Sequence, residues 1–474
     1  MTGRVAVPER TAVVVGGGLA GITAALRLAE AGGSVTLLEA RPRLGGLAFS
    51  FRRGELTVDN GQHVFLRCCT AYRGLVDRLG AQDRVAIQPR LDVPVLAVHG
   101  ERHRLGRLRR AALPVPLHLA ASLATYPHLG PLDRLRVVRG ALALQRLDLA
   151  DPALDGQSFG DWLRAHGQSE RTVAALWDLV GVATLNARAD QVSLALAAMV
   201  FKTGLLTDPG ASDIGIAAVP LGELHHDTAR AVLAQERVAV RLRAKVVELK
   251  TDADGRHTVR LEDGEALTAD TVVLAGAQES TAALLPDGAL DQAQRPERLG
   301  HAPILNVHVI YDRKVLRQPF FAALDSPVQW VFDRTAHSGL AGTALGAARP
   351  GAQYLALSQS AVQDEIDLPV SELRARYLPE LARLLPAART AEVLDFFVTR
   401  ERTATFDPAP GTAALRPGPV TGIPGLLLAG AWTATGWPAT MEGAVRSGHA
   451  AADAALTAAG LRVPADRGDG RWPR

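Results

Sequence analysis

Residues 11–46 read TAVVVGGGLAGITAALRLAEAGGSVTLLEARPRLGG, and this stretch narrows the fold more than any other part of the chain. An apolar strand over residues 12–15 runs into the turn Gly16, Gly17, Gly18, Leu19, Ala20, Gly21, and an alanine-rich helix follows. A second strand over residues 35–38 ends at the acid Glu39. Each glycine has its own physical reason. Gly16 permits the tight turn, Gly18 lets a pyrophosphate approach the backbone, and Gly21 lets the helix pack closely on the strand. The helix N-terminus offers unpaired N–H groups and a positive dipole end to phosphate, and a carboxylate at Glu39 accepts bonds from ribose hydroxyls. A lone glycine motif is weak. Here strand, turn, helix, strand and acid fall in order, which predicts a Rossmann-like α/β unit that binds a dinucleotide.

The residues after the acid narrow the choice of nucleotide. Glu39, Ala40, Arg41, Pro42, Arg43, Leu44, Gly45 and Gly46 resemble the extended FAD signature of the superfamily that holds amine oxidases, phytoene desaturases and protoporphyrinogen oxidases. The resemblance implies that Arg41 approaches the pyrophosphate and that Gly45 and Gly46 let the chain pass close to it. The superfamily usually continues with arginine, and this chain has Leu47. A simple nicotinamide dehydrogenase has no use for this second element.

Composition fits an enzyme of two or three domains: 474 residues, 47% hydrophobic and 21% charged. A net charge of +3 gives no general case for nucleic acid. The only cysteines, Cys68 and Cys69, are adjacent. They are expected to stay free, to form no zinc site, and to suit a reducing cytoplasm. No secretory signal pattern is evident at the N-terminus.

The FAD-type elements are expected in three pieces, residues 1–88, 216–295 and 419–462. Residues 89–215 and 296–418 then form a mixed α+β substrate domain, and 463–474 a frayed tail. In the second piece a helix is expected near 221–234, and the alternating runs 237–250 and 257–276, with turns at Asp254-Gly255 and Asp263-Gly264, read as a β-meander. The stretch ERHRLGRLRR, followed by AALPVPLHLAASLATYPHLGPL, has two readings. Prolines 114, 116 and 127 argue against a membrane-spanning helix. An arginine run beside an apolar segment suits a peripheral surface on anionic lipid. A solvated basic loop followed by a buried helix suits the same residues.

Longer stretches carry a narrower resemblance. VDNGQHVFLRCCTAYRGLVDRLG, residues 158–194, PILNVHVIYDR, RERTATFDPAPGTAALRP and LAGAWTATGWPATMEGAVRSG together resemble the hydroxysqualene dehydroxylases, also called squalene-associated FAD-dependent desaturases, of hopanoid precursor synthesis. The fold this implies is amine oxidase-like. The cofactor is non-covalent FAD, because no cysteine in the C-terminal half is available for attachment. Gly61, Gln62 and His63 are placed beside the isoalloxazine. Gly430 and Ala431 follow the last strand, where Ala431 replaces a polar residue. Ala439, Thr440 and Met441 stand at the start of a helix over residues 440–452 whose positive end faces reduced flavin. Val246 joins the cofactor contacts.

Amine oxidases typically carry a substrate-domain lysine near the flavin and an aromatic cage. Asn306 matches the lysine position and Thr440 a cage position, which disfavours an amine. The reaction implied is reductive. An allylic hydroxyl leaves as water once protonated, and a hydride from reduced flavin completes squalene. His63, His308 and Glu401 are the candidate acids, with Asn306 to orient the alcohol; each could also be structural. The implied partners are the lipid substrate and an electron donor the sequence does not identify. The alternatives are a polyprenoid desaturase running oxidatively, and a flavin-binding lipid carrier without turnover.

Overall fold

The computed structural model describes residues 10–463, so apart from Val463 the expected tail lies outside the described residues. Five parallel strands form one sheet in the order Ala239–Leu242, Ser34–Glu39, Thr11–Val15, Thr271–Leu274, Leu426–Leu428. Three separated pieces of chain supply them. The central strands are unbroken runs of valine and leucine because both faces are covered, and Val14, Val272 and Val273 are fully buried.

Helix Leu19–Glu30 packs against the terminal helix Met441–Ala458. Their approach depends on Gly448, where a Cβ would lie 2.3 Å from the Ala20 carbonyl oxygen. The ion pair Arg27–Asp453 ties the same two helices together.

The expected meander is present but smaller. Val246–Thr251, His257–Leu261 and Ala266–Ala269 form an antiparallel sheet. The runs on either side, Ala239–Leu242 and Thr271–Leu274, join the parallel sheet instead. The physical reason is patterning: Thr271–Leu274 is apolar without alternation, which suits burial on both faces and not a half-exposed strand. The helix expected near 221–234 is a π-helical turn, Glu223–Asp227, continuing into Thr228–Gln235.

A second, seven-stranded sheet runs Val393–Thr405, Ala302–Tyr311, Gln353–Ser360, Trp330–Asp333, Phe320–Leu324, Asp92–His99, Arg102–Arg109. The arginine run is therefore its outer strand and not a loop. Helix Val370–Leu384 covers one face with Leu373, Tyr377, Leu381 and Leu384, all buried. Between the two large sheets lie a hairpin, Ser50–Arg53 with Leu56–Asp59, and a three-stranded sheet of Val64–Leu66, Ile214–Ala217 and Val85–Ile87. These two small sheets hold residues 60–63 from either end.

Candidate active site

The glycine turn forms as its spacing demands. Gly16 adopts φ +112°, and a Cβ there would meet the Ala275 carbonyl oxygen at 2.6 Å. The Gly16 N–H donates to the Leu38 carbonyl at 2.7 Å, which pins the turn to the second strand. A Cβ on Gly21 would lie 1.9 Å from the Gly16 oxygen. At Gly18 the nearest atom is the Gly46 Cα, 3.6 Å away, and the Gly45 N–H donates to the Gly17 carbonyl at 2.9 Å. Two strips of bare backbone thus face each other across the helix N-terminus, where Leu19 and Ala20 open the first turn.

Glu39 is buried at the strand end and accepts from the Gly17 N–H at 2.7 Å and the Arg41 N–H at 2.6 Å. Its remaining lone pairs can take ribose hydroxyls. Ala40 and the Arg41 side chain are exposed, and Arg43 is the arginine that folds inward. The Arg43 guanidinium donates to the Gly46 carbonyl at 2.9 Å and lies 3.3 Å from the Phe49 ring centroid. Burial lowers its pKa from the ordinary arginine value, against the attraction of Glu39. Sequence reading missed Arg43. The only signal was its spacing of two from Arg41. Arg243 and Ala244 donate to the carbonyls of Arg41 and Glu39, and Val246 follows them as the first residue of the small antiparallel sheet.

The segment 59–63 is the hinge of the site, and its organiser is Asn60. Its Nδ2 donates to the Leu47 carbonyl at 2.8 Å and to Glu401 Oε1 at 3.0 Å. Its carbonyl accepts from Asn306 Nδ2 at 3.0 Å and from the Thr399 hydroxyl at 2.8 Å. Asn306 is 1% exposed and its Oδ1 has no partner beside Gly61. Leu47, in the arginine position, leaves its side chain 46% exposed while its backbone is held by Asn60.

Glu401, Thr399, Asn306, Ser358 and Trp330 share one face of the large sheet. Directly paired residues and those two positions along point the same way, and the registers are Ile304 with Glu401, Asn306 with Thr399 and Ser358, Ser358 with Trp330. Trp330, Phe332 and Phe320 continue that face as an aromatic cluster. A polar end thus adjoins an apolar wall.

The candidate histidines part company. His308 is fully buried, with Nδ1 bonded to the Tyr354 hydroxyl at 2.7 Å and Nε2 to the Thr399 hydroxyl at 3.1 Å, and it stacks on Phe397. Burial lowers its pKa to about 3. A neutral imidazole with both nitrogens engaged is a poor proton donor, so this geometry is structural. His63 Nδ1 lies 3.2 Å from the Gly61 carbonyl, and the Leu47 backbone also bonds the ring. Desolvation lowers its pKa, opposed in part by Asp59 and Glu401.

Beside His63 lies a cavity of about 50 Å³, lined among others by Gln62, Phe332, Arg334 and His337. It has room for a water or two. Asp59 and Arg334 form a buried ion pair at 2.7 Å at its edge. Sequence reading missed Asn60, Asp59, Arg334 and His337; the first two stood inside DNGQH, while nothing local marked the others.

At the far end, Gly430 adopts φ +142° and donates to the Ser447 hydroxyl at 2.8 Å. Ala431 contributes its carbonyl to a set of loop carbonyls gathered by Arg416, which is buried with a pKa lowered to about 10 by desolvation. Thr440 caps the terminal helix by accepting from the Gly443 N–H at 3.1 Å, with Ala439 before it and Met441 after it at the positive end.

A doubly glycine-lined pyrophosphate cradle, a ribose-type acid and a helix end at the far side define a flavin adenine dinucleotide site. The chain matches the family described as flavin containing amine oxidoreductase over residues 19–456, and it belongs to that family. It is 29% identical over 456 residues to the hydroxysqualene dehydroxylase of Rhodopseudomonas palustris, covering 95% of this chain and 99% of that one. It is 26% identical to the 15-cis-phytoene desaturase of Solanum lycopersicum, covering 93% of this chain and 77% of that one. A putrescine oxidase double mutant superimposes with a TM-score of 0.69 at 19% identity, over 95% of this chain and 99% of that one. The protein is a FAD-dependent oxidoreductase with the amine oxidase-like fold.

Proposed function

We propose that this flavoprotein reduces hydroxysqualene to squalene. The observation that carries the reading is Glu401, held by Asn60 immediately ahead of the 61–63 segment, at the polar end of an otherwise aromatic sheet face. The nearly end-to-end similarity to a hydroxysqualene dehydroxylase supports the same choice of substrate. Asn306 in the position of an amine oxidase lysine removes the group that the resemblance associates with amine oxidation.

When bound, reduced FAD supplies the hydride. The residues do the rest. Glu401 delivers a proton to the allylic hydroxyl, the C–O bond breaks, and water departs toward the cavity beside Gln62 and His63. Protonation is required because hydroxide is a poor leaving group where water cannot solvate it. The ring faces of Trp330 and Phe332 shelter the delocalised cation from water. His63, kept neutral by burial, orients the departing water.

The test is anaerobic incubation of the chemically reduced holoprotein with hydroxysqualene. Squalene formation with reoxidation of the flavin absorbance is expected. Glu401→Gln is expected to keep full FAD and lose about a hundredfold or more in rate, with His63→Gln losing less. A fully loaded Glu401→Gln enzyme at wild-type rate overturns the acid. Dehydrogenation of a carotenoid precursor by the oxidised protein, with hydroxysqualene untouched, overturns the reaction.

A further inference from the structure

The helix Pro131–Gln145 buries one apolar strip and exposes another. Val137, Gly140 and Leu144, spaced by three and four, face the interior. On the opposite side Leu132 is 61% exposed, Leu135 69%, Val138 45% and Leu142 37%. Leu113 and Leu117, 46% and 54% exposed, add apolar surface in the segment that precedes the helix. The pieces are physically joined. Ser122 bonds the backbone of Arg107 and Arg109 on the outer strand, and Arg134 reaches back from the helix to the carbonyls of Ala124 and Tyr126. A row of exposed apolar side chains along one helix face marks an interaction site.

Charge selects the occupant. The whole chain has 52 basic side chains against 49 acidic ones, yet residues 101–147 hold nine arginines and only two acids, Glu101 and Asp133. Asp133 is neutralised by Arg136 at 2.9 Å. Arg102, Arg104, Arg107, Arg109, Arg139 and Arg146 are exposed along the strand and the helix, with Arg107 and Arg109 sharing Asp92 at 2.7 and 3.9 Å. Arg110 is excluded from this set, because it is bound inward to Asp213.

We infer that this surface inserts its leucines into the interface of an anionic phospholipid bilayer, with the arginines at headgroup level. Leucines backed by arginines on one face are the pattern of an interfacial element. No described helix is long and apolar enough to cross a membrane, which fits insertion from one side. A second copy of the chain is a poor occupant, since a self-complementary contact would set the six exposed arginines against their own copies. The arginine run expected to dock on lipid is thus half of the device. The structure adds the helix, of which the apolar stretch read from the sequence had included only the first two residues, Pro131 and Leu132. The inference stands apart from the proposed reaction: it concerns a surface built of other residues.

The experiment is co-sedimentation of the FAD-loaded full chain with vesicles of pure phosphatidylcholine and of equal parts phosphatidylcholine and phosphatidylglycerol. Two variants are compared with the wild type: Leu132→Ser with Leu135→Ser, and Arg139→Gln with Arg146→Gln. Flavin content and activity on detergent-solubilised substrate report that each remains folded. Wild-type binding to the anionic vesicles is expected to exceed binding to neutral ones at least tenfold and to fall with salt. Each variant is expected to lose about tenfold or more in affinity. Unchanged binding by both variants overturns the inference. So does equal binding to neutral vesicles. A wild-type dimer that the leucine variant turns into a monomer in sedimentation velocity makes the surface a self-interface and overturns it too.

Discussion

The pyrophosphate cradle is assembled from one short run of chain, residues 16–46, and most of its bonds are backbone to backbone or backbone to Glu39. The Arg43 guanidinium on the Gly46 carbonyl and the Leu44 N–H on His226 are the side-chain additions. The proposed reaction face is assembled from side chains that arrive from opposite ends of the chain: Asn60 meets Glu401 across 341 positions and Thr399 across 339. A site made of backbone is vulnerable to any added Cβ and indifferent to most charge changes. A site made of buried polar side chains is vulnerable to the loss of one partner, because the other is left unsatisfied. The two regions should therefore fail differently.

The largest contrast lies within the cradle. Gly21→Val is expected to yield no soluble folded protein, because its Cβ would lie 1.9 Å from a main-chain oxygen that cannot move without opening the helix from the strand. Gly18→Val is expected to fold, since only the Gly46 Cα at 3.6 Å faces its Cβ, and to carry no flavin. Circular dichroism melting and flavin absorbance separate the two. A flavin-loaded Gly18→Val protein would break the assignment of that backbone to the pyrophosphate.

On the side-chain region, Arg334→Met strands Asp59 as a buried, unpaired carboxylate, although Ser50 and the Leu221 N–H still bond it. Removing one partner of such a pair costs about 3–5 kcal/mol. Urea unfolding of Arg334→Met, and of the double variant with Asp59→Asn, checks this. The double variant is expected to recover part of the loss. A single variant within about 1 kcal/mol of wild type would show that water already solvates the pair.

The smallest effect sharpens the same comparison through pH. His308 and His225 are buried neutral, with pKa values lowered to about 3 and about 4. Their folded values lie below the unfolded one, so their contribution is complete above about pH 6.5 and lost as pH falls toward those values. Each costs up to about 1.4 kcal/mol per pH unit in that window. Urea midpoints at pH 7 and pH 5 are expected to show the fall, and His308→Gln to flatten it. An equal slope in His308→Gln would place the titration elsewhere.

The sequence alone determined the parallel nucleotide-binding unit, the second glycine pair, the small meander and the capped terminal helix. Each rests on short-range rules or the resemblance: glycine where φ is positive, alternation for a half-exposed strand, and the MEGAVRSG stretch for the terminal helix, whose Thr440 cap the structure added. It could also mark the 59–63 segment and residues 306 and 401 as candidates by resemblance. Only the tertiary structure decided what those candidates touch. It took His308 out of reach by engaging both nitrogens, folded Arg43 onto the Gly46 carbonyl, and made Asn60 the joint between the 59–63 segment, the glycine pair and the large sheet. It also sorted the leucines of Pro131–Gln145 into a buried strip and an exposed one. The reason is common to all four. Burial and side-chain hydrogen bonding depend on which surfaces the folded chain brings against each residue, and no local pattern encodes that.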